Sequence, residues 1–234
     1  MSPELPVALI LPAAGRSSRM GTDKLWVEAA GHPVLGHTLA AVATAALFDL
    51  VVVATSSHNW AAVRTLALAS GIPGATLRLV EGGERRQDSV RAGLEACGDA
   101  VMVVVHDAAR PLVPPGLFSA VLEAAQAHGA ATTAVPVVDS IKRVDGQGRV
   151  LGTLDRAELV AVQTPQAFDV ALLRWAHAEA LRTGVLADDD CALVEVLGRT
   201  VVTVAGDARN IKITLPADIA VLETTLRRNG SARS

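Results

Sequence analysis

The sequence predicts an α/β fold, a doubly wound, mostly parallel (mixed) sheet, and three observations carry that expectation. Short β-branched runs alternate with Ala- and Leu-rich stretches of helical length. The runs are apolar throughout rather than alternating, as strands covered on both faces require. Glycine-bearing polar segments follow the runs at their carboxyl ends, where open α/β sheets hold their ligands.

The strand candidates of the first part are "VALIL" (7–11), "LVVVAT" (50–55), "LRLV" (77–80), "VMVVV" (101–105) and "ATTAVPV" (131–137). Helices are expected between them near 33–47, 57–70, 86–97 and 115–128. After residue 135 the pattern changes. "VVDSIKRVDGQGRVLGTLDRAELVAVQTP" is too polar for core, and the turn signal Asp145-Gly146 divides it into two strand-like halves. This reads as a projecting β-hairpin arm at about 137–160. An isolated two-stranded arm is marginal in water, so it is expected to pack on a second copy, making a homodimer. Helices near 169–182 and 189–197, a strand at 200–204 and a last helix at 216–228 complete a single domain, 1–234, with "RRNGSARS" as a frayed tail.

Composition narrows the functional classes. Half of the 234 residues are apolar and 19% are charged, with only three Phe and three Trp, so the chain is globular with an aliphatic core. The net charge is -3 and the Lys and Arg are scattered, which argues against nucleic-acid and membrane partners. Cys97 and Cys191 lie far apart with no CxxC spacing, so neither a disulfide framework nor a zinc site is expected. With an N-terminus lacking a basic segment and a long apolar run, this places the chain in the reducing cytoplasm. His58, His128 and His177 show no ligand spacing and read as surface or helix residues.

The chemistry-bearing segments are loops. In "ILPAAGRSSRMGTDKLWV" (10–27) a glycine follows a strand closely enough for backbone amides to approach a phosphate, and Arg16, Arg19 and Lys24 add charge. The spacing is neither GxGxxG nor GxxxxGK[ST]. A solvated strand-to-helix turn is the plain alternative. "EGGERRQDSVRAGL" (81–94) offers Gly82, Gly83 and Ser89 for a base or phosphate contact, or is an ordinary polar helix start. "VVVHDAARPLV" (103–113) ends a strand in Asp107, able to hold Mg²⁺ or a ribose hydroxyl, and Arg110, able to bind a phosphate; a simple Asp107–Arg110 ion pair is the alternative. Thr164 precedes a proline, which favours an extended backbone with its hydroxyl outward. Lys212 stands in an apolar segment, where a cation requires an anion to meet it.

"AAGRSSRMG" followed by "DK" resembles the signature loop of nucleotidyltransferases, departing from it at Ser17, where a glycine is usual, and at Asp23, where a proline is usual. It also resembles the loop of enzymes that attach a nucleotide to the molybdenum cofactor. "HDAARPLV", "VPVVDSIKRV", "TLDR", "VQTPQAF", "DDDCALVE" and "GDARNIKIT" then resemble, in order and spacing, the 2-C-methyl-D-erythritol 4-phosphate cytidylyltransferase family, over residues 8 to about 222. Related ribitol- or ribulose-5-phosphate cytidylyltransferases, and a nucleotide-sensing module that kept only the fold, stay open.

The resemblance implies a Rossmann-like nucleotidyltransferase fold, CTP and methylerythritol phosphate as substrates, Mg²⁺ as cofactor, and an arm exchanged within a homodimer. It implies catalytic roles for Arg19, Lys24, Arg156 and Lys212. Ala13, Ala14, Gly15, Gly82 and Ser89 would bind the nucleotide. Asp107, Arg110, Ser140 and Thr164 would bind the acceptor or ribose, with Asp107 also the metal candidate.

Overall fold

A computed structural model of the chain describes residues 5–15 and 23–231. The chain runs β1 (Val7–Pro12), β2 (Glu28–Ala29), β3 (His32–Pro33), α1 (Val34–Ala45), β4 (Leu50–Thr55), α2 (Trp60–Ala69), β5 (Leu77–Glu81), α3 (Arg86–Glu95), β6 (Met102–Val105) and α4 (Gly116–His128). It continues through β7 (Ala130–Pro136), β8 (Lys142–Val144), β9 (Val150–Thr153), β10 (Val160–Asp169), α5 (Val170–Thr183), α6 (Asp190–Val196), β11 (Val202–Ala205) and α7 (Pro216–Ser231). The last helix runs through Ser231, so the expected frayed tail from residue 227 is in large part helical.

The main sheet has the order β11-β7-β10-β6-β1-β4-β5. Every neighbouring pair is parallel except those of β10, which runs against β6 on one side and β7 on the other. The doubly wound, mixed sheet is therefore as expected, but its antiparallel member lies near the centre. Strand order reverses at β1, which pairs with β4 on one side and β6 on the other, so the carboxyl ends of β1 and β6 flank a switch-point crevice.

Alternation of side chains along β1 shows why both faces need helices. Leu9 and Leu11 join a cluster with Leu35, Leu39, Val63 and Phe118 from α1, α2 and α4. Ala8 and Ile10 join the opposite cluster with Val90, Leu94, Leu173 and Val194 from α3, α5 and α6. Each fully buried Leu, Ile or Phe contributes about 1.5–3 kcal/mol relative to exposure, so the aliphatic core suffices without more aromatics. Gly93 brings α3 onto β1: a Cβ there would lie 2.6 Å from Ile10 Cγ2. Cys97 and Cys191 are free and buried. Burial pushes the Cys97 thiol up to about 11, and raises Cys191 as well.

The arm is the two-stranded β8–β9 hairpin, separate from the main sheet. Its turn falls where Asp145-Gly146 signals it, between β8 and β9, with Gly148 N–H donating to the Asp145 carbonyl at 3.0 Å. Asp145 N–H donates to the Arg149 carbonyl at 3.0 Å, and the positive φ of 79° falls at Gly148. The Asp145 carboxylate fixes this longer loop by accepting the Gln147 and Arg149 amides at 2.9 and 3.0 Å.

Candidate active site

A cleft opens at the switch point, lined by Ala13, Ala14 and Gly15 after β1, Lys24, Arg86 and Ser89 on α3, Asp107 after β6, and Lys212. Seven residues expected from the sequence therefore meet in one place, and Arg86 joins them. Arg19 and Ser17 lie outside the described residues.

Local hydrogen bonds place each part. Ala13 N–H donates to the Ala54 carbonyl at 2.7 Å and its own carbonyl accepts from Thr55 Oγ1, so Ala13 continues the sheet while it lines the cleft. Gly82 is required by contact: a Cβ there would come within 2.3 Å of Ala14 Cβ. Ser89 is buried, and its hydroxyl accepts from Gly83 N–H at 3.1 Å, tying the glycine loop to the helix start. Lys24 sits in a turn in which Asp23 takes the place of the usual proline. Asp23 accepts from Leu25 N–H and Trp26 N–H, and buried Leu25 anchors the turn.

Asp107 is the electrostatic centre. Arg86 Nε donates to Oδ1 at 2.9 Å, Lys212 Nζ meets Oδ2 at 2.8 Å, and Arg110 Nε stands 3.8 Å from Oδ2. The anion required by Lys212 is thus Asp107. Burial works to raise the Asp107 carboxyl, but Arg86 and Lys212 outweigh it and hold the group well below the ordinary carboxylate range. Arg110 lies beside Asp107, and its Nη1 donates to the Asn210 carbonyl at 2.7 Å, which ties the two loops together. Asn210 Nδ2 in turn donates to the Thr164 carbonyl at 2.8 Å, and Ile213 N–H to the Ala109 carbonyl at 2.8 Å. The segments "HDAARP", "QTPQ" and "NIKIT" are therefore one hydrogen-bonded unit.

Thr164 departs from its expected outward aim. A register shift between Val162 and Gln166 bulges β10 against β7, and the Thr164 hydroxyl turns inward, buried. It accepts the Asp107 N–H at 2.9 Å. The Arg110 carbonyl, 3.3 Å from His106 Nε2, can only accept, so Nε2 carries the ring proton and Nδ1 of the neutral ring accepts the Thr164 hydroxyl at 3.1 Å. His106 is wholly buried, edge-on to Phe118 at 5.2 Å, and burial lowers it from 6.5 to about 4. The unfolded chain binds the proton first, so this residue's contribution to stability is full above pH 6.5 and is lost as pH falls toward 4. Between pH 7 and pH 5 the loss is about 2 kcal/mol. Urea unfolding at the two pH values is expected to show that difference, and His106→Gln to remove it. An equal pH dependence in the variant would exclude His106 as its source.

Ser140 and Arg156 do not join the cleft of their own chain. Ser140 is exposed, and Arg156 sits beyond β9 with Nη1 donating to the Val138 carbonyl at 2.9 Å. Arg86, His106, Asp190 and Asn210 are the site residues that sequence reasoning missed. The available signal lay in the motifs themselves: Arg86 is inside "GGERRQDS", Asp190 inside "DDDCALVE" and Asn210 inside "GDARNIKIT".

No group of three His, Cys, Asp or Glu side chains forms a metal cage among the described residues. Asp107, with an oxygen on each of two cations, fits a divalent ion only as a single ligand. Mg²⁺ held chiefly by substrate phosphates and water matches that donor set. Among the described residues no helix is long and apolar enough to cross a membrane.

Amides after a first parallel strand, a lysine turn and a cation-clamped Asp–Lys pair at a switch point define a Rossmann-like nucleotidyltransferase. A family model described as 2-C-methyl-D-erythritol 4-phosphate cytidylyltransferase matches residues 7–228. The chain belongs to the 2-C-methyl-D-erythritol 4-phosphate cytidylyltransferase family. A relative of that name from Pelotomaculum thermopropionicum is 48% identical over 226 residues, 94% of each chain. Another from Nocardia farcinica is 43% identical over 228 residues, 96% of each. The crystal structure of the Thermus thermophilus enzyme of that name superposes with a TM-score of 0.77 at 38% identity, covering 95% of this chain and 100% of that one. The structure of 4-diphosphocytidyl-2C-methyl-D-erythritol synthase from Anaerococcus prevotii gives a TM-score of 0.85 at 27% identity, covering 95% and 99%.

Proposed function

We propose that the chain joins CTP and 2-C-methyl-D-erythritol 4-phosphate, giving 4-diphosphocytidyl-2-C-methyl-D-erythritol and pyrophosphate in the non-mevalonate isoprenoid pathway. The observation that carries this reading is the shared cleft of Lys24, Asp107 and Lys212 beyond β1 and β6, in a chain whose relatives bear that acceptor's name over nearly their full length. The same names favour methylerythritol phosphate over a pentitol phosphate or the molybdenum cofactor.

The acceptor phosphate has a second pKa near 6, so at neutral pH its oxygen is already ionised and needs no general base. That oxygen bonds to the α-phosphorus while the bond to the bridging oxygen breaks, and pyrophosphate leaves with the electron pair. Both reactants are anions, so the residues act by positioning and by charge. Arg19 and Lys24 stabilise the charge on the transferring phosphoryl group, and the Ala14–Gly15 backbone, Gly82 and Ser89 hold the nucleotide. Lys212 and Arg156 orient the acceptor phosphate, with Ser140 beside Arg156. Asp107 aims Lys212, and Thr164 and Arg110 fix Asp107. A divalent ion such as Mg²⁺, carried by the triphosphate, would neutralise its oxygens, with Asp107 as the protein ligand.

Because Ser140 and Arg156 sit on the arm, this assignment needs the arm of a second copy. Val144, Val150, Leu151 and Val160 leave the arm with about half or more of their surfaces exposed, an apolar area suited to a homodimer with exchanged arms. Free buried thiols accord with a cytoplasmic location.

Pyrophosphate release tests the reading. It is expected with CTP and methylerythritol phosphate, to cease with EDTA and to return with Mg²⁺. Equal or faster turnover with ribitol 5-phosphate or with GTP would replace this reading by another transferase of the same fold. No turnover with any acceptor would indicate a sensing module.

A further inference from the structure

Arg86 joins two buried carboxylates. Its Nε donates to Asp107 Oδ1 at 2.9 Å and its Nη1 to Asp190 Oδ2 at 2.7 Å. The other oxygen of each carboxylate is also taken, Asp107 Oδ2 by Lys212 at 2.8 Å and Asp190 Oδ1 by His177 Nε2 at 3.1 Å. An unbroken row of alternating donors and acceptors therefore runs from His177 on α5, through Asp190 on α6 and Arg86 on α3, to Asp107 and the Lys212 ammonium in the cleft. His177, expected as a surface or helix residue, is a buried helix residue.

Each carboxylate bridges two different cations or donors, so neither can turn about its own axis without losing a partner. Released from Asp190, Arg86 could take both oxygens of Asp107 as a bidentate pair, and Lys212 would lose its fixed aim. Arg86 and Lys212 are cations held by these two carboxylates, so a break at Asp190 alters how the charge at the cleft is placed.

We propose that Asp190 and His177 are positioning residues for the transfer reaction, acting through Arg86 to hold Asp107 so that one of its oxygens aims Lys212 at the acceptor phosphate. Neither lines the cleft, and both reach it through Arg86. The proposal rests on the cytidylyltransferase reading, and turnover by the unaltered chain, measured first, tests that reading separately.

The test is steady-state kinetics on Asp190→Asn, Arg86→Lys, their double variant, His177→Leu and His177→Gln, each with its melting temperature. Asp190→Asn is expected to lower kcat about tenfold and to raise the KM for the acceptor severalfold, leaving the KM for CTP within twofold. The double variant should be no slower than Arg86→Lys alone, since both break one row. His177→Leu should fall about tenfold, and His177→Gln, whose amide can still donate to Asp190, should recover to within threefold of the unaltered chain. Should Asp190→Asn fail to fold, the Leu and Gln pair at position 177 decides. Folded variants with unaltered kcat and acceptor KM, or additive losses in the double variant, or no difference between Leu and Gln, overturn the proposal.

Discussion

Replacing Lys24 with Ala is expected to lower kcat by about a hundredfold or more, because removing one preorganised charge from a developing oxyanion costs on the order of 3 kcal/mol. The size of the effect follows from how the side chain is held. Asp23 closes the turn beneath Lys24 through the Leu25 and Trp26 amides, Leu25 is buried, and the Leu25 carbonyl accepts from Leu35 N–H at 3.0 Å at the start of α1. The backbone of Lys24 is fixed before substrate arrives, so little reorganisation opposes the transition state. Stability should change by less than about 1 kcal/mol. Lys24 also helps to depress the Asp218 carboxyl, but Asp218, in the first turn of α7, keeps the Thr214 and Leu215 amides that it accepts. Lys24→Arg should recover part of the rate, since charge survives while its position changes. A fall of less than threefold in kcat for a folded Lys24→Ala protein would remove Lys24 from the chemistry.

The residues that could be read from sequence are those whose neighbours in the chain already state their surroundings. The β-branched runs gave six strands of the sheet within a residue or two, because a strand buried on both faces has no polar positions to blur it. Lys24, Ser89, Asp107 and Lys212 converge because each follows or faces a strand end at the switch point. β10 is legible in sequence as an extended, strand-like stretch but not as a central strand of the main sheet, since Pro165 lies in its middle and a proline ordinarily excludes a ladder position. The bulge from Gln163 to Pro165 resolves the conflict: those residues leave the ladder and turn Thr164 toward Asp107. Arg86 could not be told from Arg85 beside it. Arg85 pairs with Asp88 one turn on and is exposed, while Arg86 pairs with residues 21 and 104 positions away. A guanidinium's partner at that distance is a property of the topology, and no local pattern encodes it.

At low acceptor concentration, mixing two proteins of little activity should restore activity if the arm serves the neighbouring cleft. Lys24→Ala removes a residue of the chain's own cleft, and Arg156→Ala removes one on the arm. In a heterodimer with exchanged arms, one cleft carries both substitutions and the other carries neither. Random reassociation makes about half of all dimers mixed, each with one intact site, so with the acceptor held well below the raised KM of Arg156→Ala about a quarter of the unaltered activity should return from two parents of little activity. If each arm served its own chain, every cleft would keep one lesion and nothing would return. The exposure of Arg156 and Ser140 away from the cleft gives the first outcome its physical basis, since both lie on an arm whose strands form a sheet of their own. Arg156→Ala alone should raise the acceptor KM more than it lowers kcat, because a cation that orients a phosphate acts before the phosphorus is attacked. A subunit mixture that stays at the level of its parents, with exchange verified by mass spectrometry of the dimers, would return Arg156 to a role within the arm itself.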